Sequence, residues 1–166
     1  MTQHRAGFIA NVGLKSSSRL WAEEKIECPR RQEALNILVI DDDEDDMEMI
    51  VDSLNNNMDV KHVTSALDAA KGVAALKSGE MVPDLIFLDI NMPAMDGFEV
   101  QKILSEDPKL ADIPIVFLTT SARRDDVLRA LRGTAVHYIV KPDRFADLND
   151  KTAEVIRLVI NQKDDG

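Results

Sequence analysis

Cysteine, basic charge and long apolar runs are all scarce in this sequence of 166 residues. The one cysteine, Cys28, cannot form an internal disulfide, which fits a reducing compartment and predicts a cytoplasmic protein. Acidic residues outnumber Lys and Arg by 30 to 20, and the net charge of -10 would repel the phosphate backbone of DNA or RNA. No apolar run approaches the roughly 20 residues that cross a bilayer. We therefore expect a soluble protein that binds neither nucleic acid nor membrane.

The apolar content of 45% is enough for one sizeable core, and the length argues against two full domains. Residues 1–34 show no sustained hydrophobic period and include Ser16, Ser17 and Ser18 in a row. We predict that residues 1–34 are a disordered extension and that residues 35–166 form the domain. A weak transit or signal sequence, or a start codon placed too far upstream, remain alternatives for the extension.

From Asn36 onward, short apolar runs typical of buried strands alternate with apolar residues at helical spacing. The predicted strands are Ile37 to Ile40, an alternating edge strand with Met58, Val60 and His62, then Leu85 to Leu88, Ile113 to Leu118, and Val136 to Val140. The predicted helices are marked by Met47, Ile50, Val51 and Leu54; by Leu67, Ala70 and Ala74 up to Gly79; by Val100, Ile103 and Leu104; by Val127, Ala130 and Leu131 up to Gly133; and by Leu148, Val155, Ile156 and Val159.

Strict alternation of five strands with five helices predicts an α/β fold with a doubly wound parallel sheet, because each right-handed crossover carries a helix. Strands one, three and four have the most continuous apolar runs and should be central. The alternating second strand should be an edge. These features favour the strand order 2-1-3-4-5.

Polar residues stand directly after four of the predicted strands. Strand one ends in Asp41 and Asp42, strand three in Asp89, strand four in Thr119 and strand five in Lys141. Because the carboxyl ends of parallel strands meet at one edge of a sheet, these side chains are expected to lie together.

The predicted cluster has the parts that phosphoryl transfer requires. Three converging carboxylates repel one another unless a cation joins them, and oxygen ligands of this kind are those that Mg²⁺ prefers. Asp89 supplies a carboxylate nucleophile, Lys141 an ammonium and Thr119 a hydroxyl donor. Such a site is suited to accepting a phosphoryl group, since that transfer depends mainly on positioning and charge neutralisation.

Four motifs in this arrangement resemble those of a response-regulator receiver domain. They are DD after strand one, LDxxMPxMDG after strand three, T after strand four and YxxKP at strand five. The resemblance covers about residues 35 to 162. It implies a CheY-like, flavodoxin-like three-layer sandwich that takes a phosphoryl group from a histidine kinase or a phosphorelay protein.

The resemblance also implies a role for each matching residue. Asp89 would be the phosphoacceptor, forming an aspartyl phosphate. Asp41 and Asp42 would hold Mg²⁺ together with Asp89 and the backbone carbonyl of Asn91. Lys141 would contact the phosphoryl group.

Further family features concern the switch and the end of strand five. Thr119 would move its hydroxyl toward the phosphoryl group, and Tyr138 falls on the position of the family's switch aromatic residue. The resemblance further implies a cis bond between Lys141 and Pro142.

In functional terms the resemblance implies a response regulator of a two-component system, which catalyses only its own phosphoryl transfer and dephosphorylation. Because the chain ends soon after the last predicted helix, we expect a stand-alone receiver whose output is a protein contact. A homodimer through the fourth helix and fifth strand is a further expectation. The acidic start of the first helix and the KPDRFADL stretch resemble small regulators paired with phytochrome-like kinases.

Three rival interpretations are open to comparison. A haloacid dehalogenase-type phosphatase also forms an aspartyl phosphate, but it needs an acid where Asn91 stands. A calcium loop beginning at Asp41 would need Gly at the position of Asp46; the acids from Asp43 to Asp46 are more simply a solvated helix start. A pseudo-receiver with a purely structural role would not require the intact site.

Overall fold

A computed structural model describes residues 33–133 and 135–164 of the chain. The predicted extension therefore lies outside the described residues, apart from Glu33 and Ala34. The strands are β1 (Leu35–Ile40), β2 (Val60–Ala66), β3 (Leu85–Leu88), β4 (Ile115–Thr119) and β5 (Ala135–Val140). The helices are α1 (Glu44–Asn55), α2 (Ala69–Ser78), α3 (Gly97–Ser105), α4 (Arg124–Arg132) and α5 (Phe145–Asp164).

The five strands form one parallel sheet in the order β2-β1-β3-β4-β5, as predicted from the apolar runs. All four residues of β3 are buried, which agrees with its central place. Ile40 pairs with Leu88 across β1 and β3, and Thr119 pairs with Val140 across β4 and β5. The residues that follow these strands therefore emerge side by side at one edge of the sheet.

Alternating residues of each central strand belong to two separate core layers, because successive side chains point to opposite faces of a sheet. Val39 and Phe87 belong to the layer that also contains buried residues of α1 and α5, among them Leu54 and Ile156. Residues of the other layer include Leu38, Ile86 and Phe117 from the sheet and Val73, Val100 and Ala130 from α2, α3 and α4. Both faces of the sheet are thus covered by helices.

The predicted alternation in the second strand is wrong in detail. β2 begins at Val60 and not at Met58, which is 96% exposed. The pairing with β1 shifts after Leu35, so His62 comes to lie on the exposed side and Val63 packs against the core. One extra residue in an edge strand reverses which side chains face inward, and the sequence pattern carries no sign of it.

The predicted inner face of α2 is also wrong. Ala70 and Ala74 are exposed, and Leu67 lies before the helix and is 46% exposed. Small residues stand on both sides of this helix, so the apolar pattern does not fix its rotation. The buried residues are Ala69, Gly72, Val73 and Leu76.

Helix α4 contacts the rest of the domain through a narrower face than predicted. Ala130 is fully buried and Val127 is half-buried, but Leu131 is 53% exposed. Arg129 lies over the ring of Phe98 in α3, with its guanidinium carbon 4.1 Å from the ring centroid. This contact of a cation with an aromatic face links the two helices.

At the opposite edge from the polar strand ends, Asp84 joins β1, β3 and α5. Its carboxylate accepts hydrogen bonds from the backbone nitrogen of Asn36 at 2.8 Å and from Lys163 Nζ at 2.6 Å. Burial raises the pKa of Asp84, but the bonds from Lys163 and Asn36 outweigh burial, and the pKa lies below its ordinary value of 3.8.

We expect the Asp84→Asn variant to be less stable than the wild type at neutral pH, because it loses the ion pair with Lys163. The loss should be only about 0.5 to 1 kcal/mol, because solvent screens the exposed Lys163. A depressed folded-state pKa gives stability that is present above pH 3.8 and is lost as the pH falls through the folded-state value. Urea unfolding at pH 7 and pH 3 would show the difference between the two proteins shrinking in acid. An equal difference at both pH values, or a matching loss in the exposed-acid control Glu48→Gln, would contradict this account.

Candidate functional site

The register of β1 and β3 brings two acidic residues together. Asp41 follows Ile40 and Asp89 follows Leu88, and the backbone nitrogen of Asp89 donates to the carbonyl of Ile40 at 3.0 Å. The exposed fractions of Asp41 and Asp89 are only 1% and 6%, whereas Asp42 is exposed. Two carboxylates are thus held out of water at the carboxyl edge of the sheet, with a third at the rim.

These three carboxylates form a group that fits a metal ion. One oxygen from each of Asp41, Asp42 and Asp89 lies within 4.8 Å of the others. Asp89 Oδ1 is buried and has no hydrogen-bond partner among the described residues. A buried carboxylate oxygen without a donor is costly, so the site is suited to a cation there. An all-oxygen donor set matches Mg²⁺ or Mn²⁺.

The end of β5 adds a buried ammonium to the same edge. The backbone nitrogen of Lys141 donates to the carbonyl of Thr119 at 2.8 Å, which fixes the start of the loop. The Lys141 side chain is 6% exposed, and its Nζ lies 2.6 Å from Asp41 Oδ2 and 3.7 Å from Asp89 Oδ1. Lys141 therefore lies beside the buried carboxylates of Asp41 and Asp89, as the predicted convergence of the strand ends requires.

Charge and burial oppose each other in this cluster. Burial lowers the pKa of Lys141, but hydrogen bonds with Asp41 and Asp46 and the charge of Asp89 more than compensate, and the pKa is raised overall. Burial raises the pKa of Asp41, and its bonds with Lys141 and the Asp43 backbone nitrogen only partly offset this rise. Lys141 consequently stays protonated at neutral pH.

The conformation of the loop after β3 depends on the absence of a side chain at Gly97. Gly97 begins α3, and its nitrogen donates to the carbonyl of Ile90 at 3.0 Å. A Cβ at Gly97 would overlap the carbonyl oxygen of Asp89 and lie 3.0 Å from the Cα of Ile90. Asp96 caps the helix, with Glu99 completing a capping box. The close approach of α3 thus supports the backbone of Asp89 directly.

Thr119 and Tyr138 are connected through Ser121. Thr119 is fully buried at the end of β4, and its Oγ1 accepts a hydrogen bond from the nitrogen of Ser121 at 3.3 Å. The hydroxyl of Tyr138 donates to the carbonyl of Ser121 at 2.8 Å. Ser121 Oγ donates to Asp126 Oδ2 of α4 at 2.5 Å. Burial raises the pKa of Tyr138, so its hydroxyl stays protonated as a donor.

An open groove of about 310 Å³ lies beside these residues. It runs from the loop after β3 to the start of α4. Its lining is formed by Asn91, Thr120, Ser121, Ala122, Arg123 and Asp126.

Sequence reasoning missed the part of Asp46 in this site. The prediction of a solvated helix start holds for Asp43, which caps α1, and for the exposed Glu44 and Asp45. Asp46 Oδ2 instead lies 2.7 Å from Lys141 Nζ. All of these residues are acids in one helical turn, so no pattern in the sequence separates Asp46 from its neighbours.

Two other expectations for this edge can be compared with the structure. Asn91, whose backbone carbonyl is an expected metal ligand, lies two residues after Asp89 and is exposed. The predicted cis bond before Pro142 is wrong, because none of the peptide bonds between described residues is cis. Trans is the form that most bonds preceding proline adopt.

Comparison with known proteins decides the family. The model of the response regulator receiver domain matches residues 37–153. The chain belongs to this receiver domain family. Receiver domains are signalling components of two-component systems and not classical enzymes. They interact with histidine kinases or phosphotransfer proteins and with downstream targets.

Two relatives illustrate how receiver domains are used. The chain is 30% identical over 121 residues to the chemotaxis protein CheY-3 of Vibrio cholerae, covering 73% of this chain and 91% of CheY-3. It is 37% identical over 121 residues to the DNA-binding dual master transcriptional regulator RpaA of Synechocystis sp., again over 73% of this chain. The match spans only 48% of RpaA, so this chain corresponds to about half the length of that protein.

Solved structures share the receiver fold. The phosphorylated cyanobacterial phytochrome response regulator RcpA is 29% identical, with a TM-score of 0.68 over 74% of this chain and 91% of RcpA. The Mn²⁺-bound response regulator Rcp1 is 28% identical, with a TM-score of 0.66 over 73% of this chain and 91% of Rcp1. Within the described ranges, no helix of this receiver domain is both long and apolar enough to cross a membrane.

Proposed function

We propose that this receiver domain accepts a phosphoryl group on Asp89 from a histidine kinase or a phosphotransfer protein. An oxygen of Asp89 forms a bond to phosphorus while the bond between phosphorus and the donor histidine nitrogen breaks, and the electron pair of that bond stays on the imidazole. The observation that carries the proposal is Asp89 Oδ1, a buried carboxylate oxygen without a hydrogen bond, 3.7 Å from the Lys141 ammonium.

Asp41, Asp42 and Asp89 would hold Mg²⁺ together with the backbone carbonyl of Asn91. The convergence of three carboxylate oxygens within 4.8 Å supports this assignment. The similarity to a Mn²⁺-bound response regulator supports it as well. When bound, the ion offsets negative charge on the carboxylates and on the phosphoryl oxygens.

Lys141 and Thr119 act on the transferred group in this proposal. Lys141 stays protonated at neutral pH and pairs with a phosphoryl oxygen. Thr119 exchanges the hydrogen bond from the Ser121 nitrogen for a bond in which its own hydroxyl donates to the phosphoryl group. A phosphoryl group brings about 1.5 to 2 negative charges and strong acceptors, so both contacts exist only in the phosphorylated state.

Tyr138 would carry the change to the face formed by α4 and β5. Its hydroxyl bonds to the carbonyl of Ser121, so a displacement of Ser121 alters the position of the ring. The exposed apolar residues at this face are Leu128, Leu131 and Val136. We propose that the output is a phosphorylation-dependent protein contact at this face, with a second copy of the chain as one possible partner. The net charge of -10 on the whole chain argues against a nucleic-acid contact.

The proposal is tested by the intact mass of the protein after incubation with acetyl phosphate. With Mg²⁺ present, we expect a gain of one phosphoryl group. With the metal removed by EDTA, we expect no gain within the same time, because the carboxylate cluster then repels the donor. Uptake that is equal with and without Mg²⁺ would contradict the metal assignment, and absence of uptake from both acetyl phosphate and histidine kinases would contradict the function.

A further inference from the structure

The acidic residue Asp46 contacts the Lys141 ammonium from outside the carboxylate cluster. We infer that Asp46 is a positioning residue that holds Lys141 back from Asp89 and thereby slows phosphoryl uptake. This inference rests on the proposed function of Asp89. It assigns a regulatory part to a residue of the first turn of α1.

The distances around Lys141 carry the inference. Lys141 Nζ lies 2.6 Å from Asp41 Oδ2 and 2.7 Å from Asp46 Oδ2, which are hydrogen-bond distances between charged groups. The same nitrogen lies 3.7 Å from Asp89 Oδ1, beyond hydrogen-bond range. Asp89 Oδ1 has no hydrogen-bond partner in the described part of the chain, although the Lys141 ammonium has a third N–H donor. Two short bonds thus hold the ammonium about 1 Å too far from Asp89 to bond with it.

The backbone places Asp46 for this contact. Asp43 caps α1, and its Oδ1 accepts a hydrogen bond from the nitrogen of Asp46 at 3.0 Å. Asp46 is therefore fixed in the first turn of the helix, next to the end of β1. Its side chain is 31% exposed and it is not one of the three carboxylates that converge on the metal position. Holding Lys141 is thus separable from binding the metal.

Two electrostatic effects of Asp46 act in the same direction. Its carboxylate competes with the phosphoryl group for Lys141, which must approach Asp89 when that group arrives. Its negative charge also joins those of Asp41, Asp42 and Asp89 in repelling an incoming anionic donor. Replacing this carboxylate by a neutral group weakens the bond that holds the ammonium and reduces the repulsion.

The test compares Asp46→Asn with Asp45→Asn. Asp45 is exposed in the same helical turn and forms no ion pair within the described residues, so its variant loses the same charge without touching Lys141. With Mg²⁺ and acetyl phosphate, we expect Asp46→Asn to gain a phosphoryl group about threefold to tenfold faster than wild type. This factor corresponds to a lowering of the activation free energy by about 0.7 to 1.4 kcal/mol, which is the order of one charge-pair interaction. Asp45→Asn should stay within about twofold of wild type, and Asp46→Glu should restore the slow rate.

Further readouts separate this role from a structural one. The rate advantage of Asp46→Asn should shrink in high salt, where the charge of Asp46 is screened, and urea unfolding should show that both Asn variants are folded under the conditions of the uptake assay. Equal rates for the two Asn variants, or a slower rate for Asp46→Asn, would overturn the inference while uptake by wild type upheld the function. Absence of uptake by wild type would overturn the proposed function and this inference with it.

Discussion

The Asp89→Asn protein is expected to gain no phosphoryl group under conditions in which the wild type gains one. An amide has no nucleophilic oxygen of carboxylate strength, so the rate of uptake should fall by at least about two orders of magnitude. The substitution keeps the size and shape of the side chain and removes one of several crowded negative charges. Its free energy of unfolding should therefore equal or exceed that of the wild type.

The measurement is intact mass after incubation with Mg²⁺ and acetyl phosphate, followed for both proteins over time. Asp52→Asn, which changes an exposed acid of α1, serves as a control and should behave as wild type. A phosphoryl gain in Asp89→Asn would show that another group, such as Asp41 or Asp42, is the acceptor. Urea unfolding of the same samples distinguishes loss of chemistry from loss of the fold.

Gly97→Ala is expected to destabilise the domain by about 3 kcal/mol and to reduce phosphoryl uptake as well. The added methyl group would overlap the carbonyl oxygen of Asp89, and both groups belong to the backbone or are fixed to it. Overpacking of this kind costs about 1 to 3 kcal/mol, and backbone neighbours relieve it less readily than side chains. Relieving this overlap requires that α3 or the backbone of Asp89 move. The position of the Asp89 carboxylate should therefore change too.

Gly79→Ala provides the matched control. Gly79 ends α2 with φ of 77°, and a Cβ there would meet no atom within 4 Å. Its cost is the strain of a left-handed conformation, about 1 to 2 kcal/mol, and uptake should be unaffected. Chemical unfolding and rates of phosphoryl uptake, measured for both variants, would test whether the close approach of α3 supports Asp89. If Gly97→Ala matched Gly79→Ala in both measurements, the close approach of α3 would have no part in supporting Asp89.

Much of the fold and the gathering of the site were predictable from the sequence. Alternation of strands with helices dictates a parallel sheet, and a parallel sheet brings the residues after its strands to one edge. Asp41, Asp89, Thr119 and Lys141 each follow an apolar run directly, so their convergence required no knowledge of side-chain conformation.

The features that sequence reasoning missed depend on small displacements. The reversed face of His62 follows from one extra residue in an edge strand. The rotation of α2 depends on small residues that suit either side of a helix. The contact between Asp46 and Lys141 depends on how one helical turn is placed against β5, and three neighbouring acids give the same local pattern. Motif spacing does not carry such information.

The bonds of Ser121 have a consequence for any partner of the domain. This residue bonds to Thr119 through its nitrogen, to Tyr138 through its carbonyl and to Asp126 of α4 through its hydroxyl. In the proposed mechanism, phosphorylation breaks the first bond and thereby biases the other two. Thermodynamic coupling is reciprocal. If phosphorylation raises the affinity of a partner that binds α4, binding of that partner must raise the equilibrium constant for phosphorylation of Asp89 by the same factor. The abundance of the target would then help to determine how much of the regulator is phosphorylated.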